Sequence, residues 1–264
     1  MSPGRTGTAH LVFMAFGGLL LLFIIAPLAG IFINLAPGDL LRTAREDEVS
    51  ASIWLTLAAS MGATVVFAVL AIPFAWILAR REFRFKQLVN GIVDLPIVIP
   101  HSAAGIALIG VLSPDSPVGA AAERIGIRFA GGVAGIMAAM AFVSVPFLVN
   151  AARDGFAAVP VQLEKAALNL GASPLRVFLT ISVPAARRSI LSGLVLMWAR
   201  GMSEFGAVIV IAYHPMITPV LLYERFGAFG LRYARPVTAL FIAICLLFFF
   251  ALRVLAGRRR DAQG

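Results

Sequence analysis

Six apolar runs, each near the length of a bilayer crossing, constrain this chain more than any other feature. They lie at about Leu11–Leu35, Ile53–Ala79, Val89–Leu112, Val133–Ala152, Ile190–Tyr213 and Val237–Leu255. An α-helix rises about 1.5 Å per residue, so about 20 residues cross ~30 Å of hydrocarbon. Lipid offers no partner to backbone N–H and C=O groups, so runs of this kind must be helical. The composition agrees: 60% of the 264 residues are hydrophobic and 13% charged, against about 25% charged in a soluble domain. The expected fold is all-α and transmembrane, one six-span domain over residues 1–264 with short loops. Arg5 precedes the first run, which exceeds the apolar core of a secretory signal, about 7–15 residues, and reads as an uncleaved span.

Orientation follows from the loops. Thirteen Lys and Arg residues fall on the side that holds both termini and the loop after the fourth run; seven fall on the other side. The positive-inside bias places the termini and that loop in the cytoplasm. The net charge of +9 is then a matter of orientation and anionic lipid, with no nucleic acid implied. The lone Cys245 excludes a disulfide within the chain and a cysteine metal cluster, and no metal site is expected.

Between the fourth and fifth runs, Leu163 to Pro184 reads LEKAALNLGASPLRVFLTISVP. Leu163, Ala166, Ala167 and Leu170 share one face of a short helix. Gly171 stops that helix, Ser173 caps a second, Pro174 takes its first position, and Pro184 is expected to end the segment. A helix this small buries little by itself, so a partner surface is its natural explanation.

These residues resemble the coupling loop of ABC importer permeases, which follows EAA, three residues, G, and later hydrophobic-x-hydrophobic-Pro. The match runs through Glu164, Lys165, Ala166, Ala167, Gly171, Ala172, Ser173, Pro174, Phe178, Ile181 and Pro184, with Lys165 where the pattern has Glu and Glu164 one place earlier. The resemblance implies a type I importer permease with a cytoplasmic coupling helix, in a prokaryotic cytoplasmic membrane. It also implies a homodimer, two separate ATP-binding subunits that carry ATP and Mg, and an external solute-binding protein.

The third run reads GIVDLPIVIPHSAAGIALIG. Pro96 and Pro100 each remove a backbone donor and clash with the carbonyl four residues back, so this span should kink or break. His101, Ser102 and the small residues after them make it a candidate wall for a solute path. In the fifth run, LVLMWARGMSEFGAVIVIAY, Arg200 and Glu204 stand one turn apart. Each costs roughly 3 kcal/mol at mid-bilayer, so both should face protein or water and pair, with Asp94 a candidate third member. Ser203 and Gly206 complete the expected path and gate.

The Ala199-Arg200 and Ser203-Glu204-Phe205-Gly206-Ala207 segments resemble the AR…GEFGA signature of tetrahedral-oxyanion permeases. With DLPIVIPH and YHPMITPVLLYERF they look most like the molybdate/tungstate group. Arginines 225, 232 and 235 in the external segment 214–236 suit arrival of such anions and docking of a binding protein. Two alternatives stay open: a permease for sulfate or another solute, and an ion-coupled carrier using Arg200, Glu204 and Asp94. The dipeptide Gly-Lys never occurs, which excludes a GxxxxGK[ST] phosphate loop, and neither HExxH nor GxSxG is present. No catalytic residue is expected here; ATP hydrolysis would belong to another polypeptide.

Overall fold

The structure, a computed structural model, describes residues 3–33 and 35–261. In chain order its helices are α1 (Pro3–Ile33), α2 (Pro37–Ala44), α3 (Asp47–Arg80), α4 (Lys86–Val98), α5 (His101–Leu112), α6 (Pro117–Arg124), α7 (Val133–Ala157), α8 (Val161–Asn169), α9 (Pro174–Val177), α10 (Val183–Met202), α11 (Gly206–Ile211), α12 (Thr218–Phe229) and α13 (Leu231–Asp261). A π-helical turn, Phe178–Ser182, joins α9 to α10. The described residues contain no strand. Among the described residues five stretches are long and apolar enough to cross a membrane: in α1, α3, α7, α9–α10 and α13. The pair α4 and α5 makes a sixth, bent by 112° at the Ile99–Pro100 break.

The third run breaks, as its prolines imply, into two half-helices, because Pro96 and Pro100 remove donors four residues apart and Ile99 before Pro100 is pushed to extended backbone (ψ 146°). Two departures from the expected spans matter. The fifth run also breaks: α10 ends at Met202 and α11 begins at Gly206, with Ser203, Glu204 and Phe205 between. Its helix begins earlier than expected as well. Pro184 does not end the loop but is the second residue of α10, directly after the π-helical turn.

The chain groups into two compact units, 1–50 with 222–264 and 51–221. In the first, α13 packs against both α1 and α2, and Arg225 bridges Glu46 and Glu48 at 2.7 and 2.8 Å. Burial alone would lower the pKa of this guanidinium, but the two carboxylates outweigh it and raise it.

The second unit is built around α7. Ile136, Met140, Val143 and Leu148 are fully buried there, and α10 makes the most extensive contact with it. One face of α3 carries Ser52, Thr56, Ser60 and Thr64 at intervals of four, all buried. Their small size admits neighbouring helices, and three of the hydroxyls fold back on the carbonyl one turn earlier (Thr56, Ser60, Thr64; 2.6–2.8 Å). Thr56 does more: its Oγ1 accepts the backbone N–H of Thr218 at 2.8 Å, a first-turn donor of α12 that no residue of its own helix can satisfy.

These hydroxyls are therefore not equivalent. Thr56→Val strands a buried N–H and should cost about 1–3 kcal/mol, seen as a lower thermal midpoint of the purified protein in detergent. Ser60→Ala removes only a back-bond to its own helix and should leave the midpoint nearly unchanged.

Candidate functional site

The loop between α7 and α10 is anchored from beneath by one carboxylate. Glu164, in α8, points inward and not toward a partner: Arg80 Nε donates to both of its oxygens at 3.0 Å and Nη2 to Oε1 at 2.8 Å. Ser182 Oγ adds a bond at 2.7 Å and Trp76 Nε1 one at 3.4 Å. Both side chains of the ion pair are at least nine-tenths buried (8% and 7% exposed). Arg80 Nη2 also donates to the Val159 carbonyl at 3.0 Å. Burial by itself raises the pKa of Glu164, but the hydrogen bonds from Arg80, Ser182 and Trp76, with the charge of Arg80, hold it below the ordinary value. Phe178 seals this anchor, edge-on to Trp76 at 5.5 Å.

With Glu164 turned inward, the outward side of the loop carries an apolar stripe of Leu163, Ala166 and Leu170 beside the exposed Lys165. Leu163, Lys165, Ala166 and Leu170 are exposed, Leu170 by 89%, and Ala167 is half-buried. Gly171 takes φ +86°, the left-handed conformation that lets the chain reverse after α8. Ser173 Oγ accepts the Arg176 N–H at 3.3 Å and Pro174 opens α9. Ala172 is half-buried between them.

A second polar cluster lies where the two helix breaks meet. Glu204 has no exposed surface. Its Oε1 accepts the Ala207 N–H at 2.8 Å, capping α11, and its Oε2 receives Arg200 Nη2 at 3.1 Å and His101 Nδ1 at 2.6 Å. Arg200 Nη2 also lies 2.8 Å from the His101 ring nitrogens. An arginine only donates and a carboxylate only accepts, so the imidazole between them can serve as a donor toward Glu204 and an acceptor toward Arg200. Ser203 Oγ accepts from Arg200 Nη1 at 3.1 Å and donates to the Arg200 carbonyl at 3.0 Å. Close approach of α5 and α11 is what allows this. A Cβ on Gly206 would lie 2.7 Å from His101 Cβ, and one on Gly105 2.8 Å from the Ala207 carbonyl oxygen.

The third member of the cluster is thus His101 and not Asp94. Asp94 Oδ1 accepts from Asn150 Nδ2 of α7 at 2.6 Å, because the break after Val98 separates the half-helix that bears it from the one that bears His101. Pro96 is buried within α4, Pro100 is the residue before α5, and Ser102 and Ser203 are exposed. Arg80, Trp76 and Ser182 escaped the sequence reading; an arginine ending a span 84 positions before Glu164 has no local pattern to reveal it. Among the described residues no group of three His, Cys, Asp or Glu side chains could hold a metal ion.

Arg80→Met should destabilise the loop by about 3–5 kcal/mol, since it strands a buried carboxylate, whereas pairing it with Glu164→Gln should recover much of the loss. Because the pKa of Glu164 is lowered on folding, its contribution is complete above the ordinary carboxylate range and disappears as pH falls through the depressed value. Protease nicking of the 161–182 segment should therefore be flat from neutral pH down through mild acid and rise only below that range.

Residues 71–261 match the family described as binding-protein-dependent transport system inner membrane component. The chain is 39% identical to the molybdate/tungstate transport system permease protein WtpB of Pyrococcus abyssi, over 98% of this chain and 99% of that one. The corresponding protein of Pyrococcus furiosus is 40% identical over 95% and 96%. Among solved structures, a bacterial ABC transporter involved in import of the acidic polysaccharide alginate superposes with a TM-score of 0.75 at 18% identity, covering 97% of this chain and 96% of that one. At that identity the likeness concerns the fold, which is the all-helical fold of an ABC importer permease.

Proposed function

The chain belongs to the binding-protein-dependent transport system inner membrane components, and we propose that it moves molybdate or tungstate inward for an ATP-driven importer. It is a multi-pass membrane protein and a permease subunit. One observation carries the choice of substrate: identity near 39% to molybdate/tungstate permeases over nearly the whole of both chains.

In this reading two copies form a homodimer in a cytoplasmic membrane, with both termini and the α8–α9 loop inside. Two ATP-binding subunits bind the outward face of α8, and an external binding protein delivers the anion. ATP and Mg sit on those subunits, which hydrolyse the nucleotide. What the partner pushes on is the apolar face of Leu163, Ala166 and Leu170. The buried Arg80–Glu164 pair transmits the push to the end of α3, and the unbroken run of α9, the π-turn and α10 carries it to Arg200.

At the far end, Arg200, His101 and Glu204 tie the α4–α5 break to the α10–α11 break. The pair nearly neutralises itself, so the cluster acts as a latch between half-helices more than as a tight anion site. Weak retention suits transport, because an anion bound firmly in the path would leave slowly. An ion-coupled carrier using Asp94 loses its premise, since that carboxylate bonds to Asn150 away from the cluster.

Two measurements test this. Vesicles holding the assembled complex should take up labelled molybdate and tungstate only with ATP, each competing with the other; uptake of sulfate without competition by either would overturn the substrate assignment. Gly171→Val, which forces a β-branched residue into φ +86°, should leave ATP hydrolysis running while uptake falls at least about tenfold, a loss of about 1.4 kcal/mol in coupling.

A further inference from the structure

We propose that the groove between α3, α4 and α7 holds one acyl chain of an anionic phospholipid, with the headgroup on the basic residues at one end. The groove encloses about 480 Å³ and is lined by Phe67, Phe74, Val93, Pro96, Val145 and Val149 among other apolar side chains. Its size falls within the range of about 300–1,000 Å³ typical of small-ligand sites. Each wall has a proline inside its helix: Pro73 in α3, Pro96 in α4 and Pro146 in α7. An interior proline removes a backbone donor and disturbs the turn before it, which favours an open groove where three such walls meet.

Each wall also runs into a cation. On α3, Phe67, Phe74 and Arg81 recur every seven residues; on α7, Val145, Val149 and Arg153 recur every four; on α4, Lys86 stands seven before Val93. Residues at these spacings share a helix face, and the Arg81 N–H still bonds Ile77 O, so the α3 stripe continues through it. Arg84 joins them in the short α3–α4 connection. Their carboxylate partners are weak competitors. Glu82, bonded to Lys86 at 2.7 Å, is 87% exposed, and Asp154, 3.3 Å from Arg153, is 74% exposed. Lys86 and Arg153 are themselves only 20% and 26% exposed, and Arg153 also donates to Asn90 Oδ1 at 3.4 Å, so it is the solvent-exposed carboxylates that a phosphate would replace. Arg80 is already committed to Glu164.

Depth agrees with the assignment. From Arg81, Phe74 lies about 10 Å along the helix, within the ~15 Å of one hydrocarbon leaflet, and Phe67, at about 21 Å, lies past the end of that leaflet. A ligand apolar over that depth and anionic at the rim is a phospholipid of the leaflet on the basic side. A water-soluble oxyanion would find no polar group in the groove.

The test uses the full chain in its assembled complex, placed in nanodiscs of phosphatidylcholine doped with phosphatidylglycerol and then stripped stepwise in native mass spectrometry. The wild-type should retain phosphatidylglycerol in preference to phosphatidylcholine, by roughly fivefold per cation at the rim. Val145→Trp, which fills the groove, should lose the retained lipid. Lys86→Gln with Arg153→Gln should keep a lipid but lose the headgroup preference. A photocrosslinker at the exposed Leu70 should capture lipid in the wild-type complex. A wild-type protein that strips bare, equal retention by Val145→Trp, or crosslinking of Leu70 to a second copy of the chain would each overturn the proposal.

Discussion

A helix interrupted in hydrocarbon must find its missing hydrogen bonds in side chains or water, and here one carboxylate supplies one of them and gathers the polar side chains beside the gap. Glu204 satisfies the first turn of α11 through Oε1 and gathers Arg200 and His101 on Oε2. Without it, the gap at Ser203–Phe205 would leave orphan donors beside an unpaired guanidinium, both expensive in lipid. The 112° bend that the prolines make between α4 and α5 is tied to the same group, because His101 is the first residue after that bend. Two discontinuous spans are thus held at their weakest points by a single side chain with no exposed surface.

The other end of α10 follows a similar logic for a different purpose. Glu164 is a buried carboxylate fully occupied by Arg80, Ser182 and Trp76, which ties the α8–α9 loop to the end of α3 and to the start of α10. Breaking the pair would leave a charge stranded out of water, so the tie is costly to undo. The π-helical turn at Phe178–Ser182 sets the register that brings Ser182 to the carboxylate while Phe178 covers Trp76.

Much of this was legible in residues close together in the chain. The reversal at Gly171, the cap at Ser173 and the helix start at Pro174 are local events, and the spacing alone places them. The Arg200–Glu204 pair is one turn of helix. Misreadings arose where a distant partner decided the outcome. Asp94 is the third member that the sequence offers to the Arg200–Glu204 pair, but the Pro100 break carries His101 into that place and leaves Asp94 to Asn150. Glu164 looked like a contact for another protein until Arg80 claimed it. The break at Ser203–Phe205 left no proline behind to betray it.

The sequence by itself determined that the chain crosses a membrane repeatedly as helices, where most of those crossings lie, and which short loop reverses on a glycine. Hydropathy, length and backbone sterics are properties of contiguous residues, so no fold is needed to read them. Only the tertiary structure decided which acid meets which base and where apolar walls fail to close. Those outcomes depend on helix rotation and depth, and one turn of slippage, about 5.4 Å, is enough to exchange one partner for another.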